Sequence, residues 1–272
     1  MLSKNLNKFI HSLEQKKIRQ REGAFVAEGP KVVGDLMRSF TPRHIIATSQ
    51  WLNGPTEDLL LSANGPSPQS PCPVTIVTDD ELRKASLQQH PQQVIAIFNL
   101  PETTHADINI DAANQLVLAL DGVQDPGNLG TIIRIADWFG ISTLLCSRDT
   151  ADAFNPKVVQ ATMGSLARVH IIYCDLPETL ASLSTDIPLY GTFLDGNDLY
   201  SEALTPHGVI VMGNEGNGIS PTVSRLINRR LLIPGFVSDS NQQSETRPDS
   251  LNVAIATAIT CAEFRRRTLH QP

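Results

Sequence analysis

The stretch that most restricts the fold is LVLALDG at residues 116–122, a near-continuous apolar run of strand length. A strand that is apolar on both faces must be covered on both, as in a parallel sheet flanked by helices. The pattern continues with STLLCS (142–147), VHIIYC (169–174), PLYGTFL (188–194), GVIVMG (208–213) and LLIPG (231–235). Helical stretches fall at 131–139, around 155–165 and at 177–184, with a last helix over 250–267. Strands separated by helices in this rhythm predict a doubly wound α/β sheet.

The first hundred residues read as a smaller α/β unit. A helix over 3–22 carries Leu6, Phe9, Ile10 and Leu13 on one side. AFVAEG (24–29), HIIATS (44–49), VTIVT (74–78) and QVIAIFNL (93–100) follow as strands, with helices at 30–40, opened by Pro30, and at 79–86. NGPSPQSPCP (64–73) has the composition of a mobile surface loop, and PETTHADINIDAAN (101–114) that of a linker. The expected domains are therefore 1–100 and 115–272, joined by 101–114.

At 272 residues, 41% hydrophobic and 18% charged, the chain has the composition of a soluble globular protein. No run approaches the roughly 18 apolar residues of a membrane helix, and MLSKNLNKFIHSLEQKK lacks the apolar block of a secretory signal. Cys72, Cys146, Cys174 and Cys261 are scattered without paired spacing, so buried free thiols and a cytoplasmic location are expected, with no metal site. The net charge of −6 hides an asymmetry: residues 1–50 hold nine Lys/Arg against four acids, +5, leaving −11 for the rest. A basic arm on an acidic body suits a polyanionic partner, though a solvated helix face would give the same count.

Four strand ends in the second half run into unusual segments: LALDG into VQDPGNLG, LYGTFL into DGND, VIVMG into NEGNGIS, and LLIPG into a polar stretch ending in DSLNVAIA. Ligands in open α/β sheets bind at the carboxyl ends of strands, so one shared site is expected there. GNEGNG (213–218) is neither the GxGxxG of dinucleotide folds nor a phosphate-binding GxxxxGK[ST] loop. Its glycines allow a close backbone approach, and Glu215 in the middle is hard to explain as packing. Ile132, Ile135, Ala136 and Phe139 define a buried stripe that leaves Arg134 outside, near the start of its helix, where a cation opposes the helix dipole. Asp249 and Ser250 read as a helix cap, with Leu251, Ile255 and Ile259 as an inward stripe. Leu251 and Asn252 equally fit a core residue and a solvated first-turn residue.

DPGNLGTIIRIADWFG, VMGNEGNGIS and LLIPG…SLNVAIATAI, in that order, resemble the three motifs of the SpoU/TrmH-type RNA methyltransferases of the SPOUT class. NPKVVQATMGSLARV (155–169) is similar to the family's stretch between its first two motifs. KKIRQREGAFVAEGPKVVGDL (16–36) is similar to a substrate-binding extension with the fold of the ribosomal kink-turn-binding proteins. The resemblance implies a C-terminal parallel-sheet domain tied in a deep trefoil knot, although chains as a rule do not knot. It also implies S-adenosylmethionine (SAM) as cofactor and a homodimer whose subunits share each site.

Residue by residue, Gly213, Ile233 and Leu251 match positions whose backbone cradles adenine and ribose. Thr192, Phe193 and Leu194 match the strand end beside the methionine part, and Asn214 joins the cofactor-binding set. Arg134, Asn128, Glu215, Ser250 and Asn252 match the polar catalytic set, and Lys16, Lys17, Arg19 and Arg21 are the expected RNA contacts. The implied reaction is methyl transfer to a ribose 2′-hydroxyl, of ribosomal RNA first and transfer RNA next. Alternatives are base-nitrogen methylation of transfer RNA and a non-catalytic RNA-binding or ribosome-assembly factor. Two departures stand out: a long insertion over 235–249, and Gln160 where many relatives carry arginine.

Overall fold

The computed structural model describes residues 2–54, 72–101, 110–235 and 250–268. Most of the 64–73 loop and of the 235–249 insertion lies outside the described residues, as does most of the 101–114 linker. The chain divides into two compact units, one from 1–107 with 152–168 and one from 108–151 with 169–272.

The first unit holds α1 (Lys4–Ser12), α2 (Lys16–Glu22), β1 (Ala24–Glu28), α3 (Pro30–Leu36), β2 (Pro42–Ala47), α4 (Ser49–Leu52), β3 (Val74–Ile76), α5 (Asp79–Ala85) and β4 (Val94–Asn99). Its sheet runs β1-β4-β2-β3, antiparallel around β4 and parallel between β2 and β3. Ile10, Leu13, Val26, Ile46, Leu82, Ile95 and Ile97 are among the side chains of its core.

The single helix expected over 3–22 is two helices. At the break, Arg19 Nη1 donates to the carbonyls of Leu13 (2.7 Å) and Glu14 (2.8 Å), and Nη2 pairs with Asp152 at 2.5 Å. Arg19 is 1% exposed, so it is a structural residue and not an RNA contact. Its charge is neutralised and its fork fills carbonyls that the broken helix leaves unpaired.

Residues 152–168, which include α6 of this unit (Pro156–Ala161), lie in sequence within the second half yet pack here. The Phe154 ring lies 4.9 Å from that of Phe25 and 6.2 Å from that of Phe40, which themselves pack with Phe98. Gln160 Oε1 accepts from Gln88 Nε2 at 2.7 Å, giving this glutamine a structural partner. The region expected to fold as a continuous 115–272 body is thus interrupted by a segment of the other unit.

The second unit holds β5 (Leu116–Asp121), α7 (Pro126–Trp138), β6 (Thr143–Ser147), β7 (His170–Cys174), α8 (Leu176–Ala181), β8 (Leu189–Asp198), β9 (Gly208–Gly213), α9 (Pro221–Ser224), β10 (Arg229–Leu232) and α10 (Val253–Thr268). Every strand pair is parallel, in the order β10-β8-β9-β5-β6-β7. β5 and β9 sit centrally and are buried along their whole length, as apolar runs without alternation require.

Two helix starts that bear on the site differ from expectation. α7 starts at Pro126 because the Asp125 carboxylate accepts from Asn128 N (2.7 Å) and Pro126 fits the first helical position. Leu129, Ile132, Ile133 and Ala136 are its buried stripe, while Ile135 and Phe139 are half-buried. Arg134 therefore lies in the third turn, beyond the reach of the N-terminal dipole. α10 starts after Asn252, whose Oδ1 accepts from Ala254 N (2.9 Å) and Ile255 N (3.3 Å), so the cap is Asn252 and not Ser250, while Asp249 lies outside the described residues. Leu251 and Ile255 are 51% and 53% exposed, and the buried side is Val253, Thr257, Cys261 and Phe264. All four cysteines are free; Cys146 and Cys261 are buried, Cys72 and Cys174 half-buried.

Candidate functional site

The four strands expected to end in unusual segments are adjacent, β10-β8-β9-β5, although DGND (195–198) is the end of β8 itself and not a loop beyond it. Residues of β8, the end of β9 and the loop after it, the end of β10 and the segment leading into α10 line a cavity of about 480 Å³ in the second unit, within the roughly 300–1,000 Å³ common for small-molecule sites. The segment after β5 does not line it and is bonded to its lining residues Asn214 and Glu215 through Gly122 and Asn128. Thr192, Phe193 and Leu194 come from β8, Gly213, Asn214 and Glu215 from the end of β9, Ile233 from beyond β10, and Ser250 and Leu251 from before α10. All seven residues expected to meet a cofactor line this one space. Sequence reasoning missed Met212, Ile219, Leu232, Val253 and Ala256, apolar wall positions that no polar motif marks.

The glycine-rich loop closes one side. Asn214 and Gly218 exchange backbone hydrogen bonds of 2.9 Å, folding the loop back on the end of β9. A Cβ at Gly213 would stand 2.2 Å from the Gly218 carbonyl carbon, so only glycine permits that approach.

Phe193 forms another wall. The Arg230 guanidinium lies 3.5 Å from its ring centroid, held by Asp195 at 2.5 Å. The hydrogen bond from Arg230 keeps the Asp195 carboxyl below its ordinary range. Nothing in the motifs signalled this pair, although Phe193 and Asp195 fall on one face of the strand.

The polar set divides. Asn128 Nδ2 donates to Glu215 Oε1 at 2.9 Å, and Asn252 Nδ2 donates to Asn128 Oδ1 at 2.9 Å. Ser250 stands at the cavity beside them. Arg134 is exposed and, among the described residues, neither bonds to a partner nor lines the cavity. In the first unit Lys16, Lys17 and Arg21 are exposed on α2, with Arg21 also paired to Glu22 at 2.8 Å.

Among its described lining residues the cavity has one charged side chain, Glu215, and no lysine or arginine. Apolar walls with backbone donors and acceptors and no cation suit a flat heterocycle on a ligand without phosphates; they do not suit a polyphosphate. A parallel α/β domain with such a cavity at the carboxyl edge of its strands belongs to the class of cofactor-dependent α/β enzymes.

The chain belongs to the SpoU rRNA Methylase family, whose sequence model matches residues 115–262, and an MRM3-like substrate binding domain matches residues 5–96. It is 28% identical over 258 residues to the 23S rRNA (guanosine(2553)-2′-O)-methyltransferase RlmP of Bacillus subtilis, covering 93% of each chain. Among solved structures it is similar to a protein from Porphyromonas gingivalis assigned to the TrmH family of RNA methyltransferases. That similarity reaches 41% identity and a TM-score of 0.81, over 98% of this chain and 99% of the other. The AdoMet-bound rRNA methyltransferase of Sinorhizobium meliloti matches at 28% identity and a TM-score of 0.80, covering 98% of this chain and 96% of that one.

Proposed function

We propose that the protein transfers a methyl group from SAM to a ribose 2′-hydroxyl of ribosomal RNA. The observation that carries this reading is the cavity itself, lined by all seven residues matched to cofactor contacts and, among the described residues, by no lysine or arginine. SAM seated there would supply an electrophilic methyl on a sulfonium. The backbone of Gly213, Ile233 and Leu251 would hold its adenine and ribose, and Thr192, Phe193 and Leu194 its methionine part. Methyl transfer is an in-line displacement, so holding the hydroxyl behind the methyl supplies much of the rate.

Arg134 is the cation available to handle RNA. A guanidinium with a pKa above about 12 is a poor base, so its role is to bind the phosphate or hydroxyl and stabilise the developing alkoxide. Arg134 shares the exposed side of α7 with Trp138, one turn on and 84% exposed, while Leu251, just before α10, and Ile255, on α10, are also exposed, and α10 packs against α7. This apolar surface supports a homodimer in which Arg134 serves the partner's cavity. α10 packs on α7 and β9 although β10, the strand before it in sequence, lies at the sheet edge, and this placement supports the knotted fold that the resemblance implies. Lys16, Lys17 and Arg21 are the RNA contacts assigned to the first unit, whose fold is read as that of the kink-turn-binding proteins. The free thiols support a cytoplasmic location, and no helix among the described residues is long and apolar enough to cross a membrane.

The test is incubation of the protein with methyl-labelled SAM and ribosomal RNA, followed by mapping of the labelled nucleotide. An RNA carrying a 2′-deoxy sugar at that nucleotide should take up no label. Continued labelling would point to a base nitrogen instead.

A further inference from the structure

The polar residues at the cavity rim are bonded in one direction only. Asn252 uses its Oδ1 for the N–H groups of Ala254 and Ile255, which only donate, so its Nδ2 is left to face Asn128. At the other end stands Glu215, a carboxylate that only accepts, and it draws Asn128 Nδ2. Both ends independently demand the same orientation of the Asn128 amide.

The loop bearing Glu215 is itself fastened. Asn214 Nδ2 donates to the Gly122 carbonyl (2.7 Å), and its Oδ1 accepts from Gly216 N (2.9 Å) and Asn217 N (3.0 Å). Gly122 has a φ of +75°, a conformation that favours glycine at the point where the chain leaves β5. A directional chain of bonds thus runs from the end of β5 through the glycine-rich loop and the first turn of α7 to the start of α10. Ser250 and Leu251, which line the cavity, immediately precede Asn252.

We propose that Asn214, Glu215, Asn128 and Asn252 form an amide relay of positioning residues, in which the Glu215 carboxylate sets the polarity that holds segment 250–252 at the cavity. Glu215 is then not the group that takes the substrate proton. The inference rests on the methyl-transfer reading above.

Two unrelated lesions should be rescued by one second change. Asn128→Asp sets a carboxylate against Glu215, yet an acid in the first turn of α7 suits the helix dipole, so folding is spared. Asn252→Asp keeps the cap of α10 but loses the donor to Asn128. Each should lower kcat by roughly 30-fold, the scale of leaving a polar or charged group without its partner. Adding Glu215→Gln restores a consistent pattern in both. In the first case the new glutamine amide donates to the carboxylate introduced at position 128. In the second it donates to a flipped Asn128, whose Nδ2 then meets the carboxylate introduced at position 252. Recovery of about tenfold is expected in each double variant.

Affinity for S-adenosylhomocysteine, measured by calorimetry, should fall with Asn252→Asp and return in its double variant, and thermal melts check the fold of every variant. If Glu215 were the base, every variant carrying Glu215→Gln would be inactive, and no rescue in either background would overturn the relay. A wild-type protein that methylates no RNA would sink the functional reading instead, leaving the calorimetry to judge the relay.

Discussion

Helices α2 and α7 each carry an arginine that the sequence offers as an RNA-handling cation, and the structure treats the two oppositely. Arg19 is 1% exposed, bonded to two carbonyls and paired with Asp152. Arg134 is exposed and, among the described residues, has no partner. A buried guanidinium that is already ion-paired and bonded to two carbonyls is out of reach of an RNA phosphate, whereas an unpaired, exposed one on a site-bearing helix is available for an anion. Charge in a sequence therefore identifies candidates, and pairing in the fold separates them.

The largest effect that would break this contrast is on stability. Arg19→Ala leaves Asp152 and the carbonyls of Leu13 and Glu14 without their partner, and truncating a buried pair costs about 3–5 kcal/mol. Urea unfolding should show that loss in the midpoint. A variant as stable as the wild type would return Arg19 to the list of surface cations. Arg134→Ala should do the reverse, reducing methyl transfer by about 10²–10³-fold, the scale of a lost oxyanion donor. Its melting temperature should be unchanged and its SAM affinity within a few-fold. Near-normal methylation by Arg134→Ala would remove the role assigned to it.

What the sequence disclosed follows the same division. β5 and β9 were legible because a strand buried on both faces leaves no polar alternation to misread. The gathering of Gly213, Ile233 and Leu251 at one cavity came through the family resemblance, since none of the three carries a polar or charged side chain that would mark it as a ligand contact. The start of α7 was missed by five residues because PGNLG looks like a turn, while Asp125 and Pro126 are a helix cap and first position. The break between α1 and α2 was invisible because it depends on Arg19 reaching Asp152, 133 residues away. Packing of 152–168 with the first unit was hidden for the same reason, as Phe154 finds Phe25 and Phe40 only in three dimensions.

A smaller effect tests pairing without burial of the cation. Glu263 near the end of α10 accepts from Arg266 and Arg267, and the hydrogen bond from Arg266 leads in holding its pKa down to about 2. A depressed carboxyl pKa contributes stability above the unfolded value and loses it as pH falls toward the folded one. The loss should therefore appear between about pH 4.5 and pH 2, and because Arg266 is 59% exposed it should amount to only about 1–2 kcal/mol. In Glu263→Gln that component of the acid dependence should disappear from the denaturation curves.

Arg230 is the intermediate case and gives the smallest expected change. It is paired, with Asp195, yet its guanidinium also covers the face of Phe193 in the cavity wall. The ion pair is exposed at both ends and contributes little, so the contact that matters is the cation on the ring, about 0.5–1 kcal/mol. Arg230→Ala should weaken SAM binding by a few-fold through a looser Phe193, with kcat at saturating SAM hardly altered. Asp195→Asn should produce a still smaller shift in the same direction, because the guanidinium keeps the ring but loses its tether. Calorimetric titration of the two variants resolves that order, and a larger loss for Asp195→Asn would mean that the carboxylate, not the cation on the ring, shapes the wall.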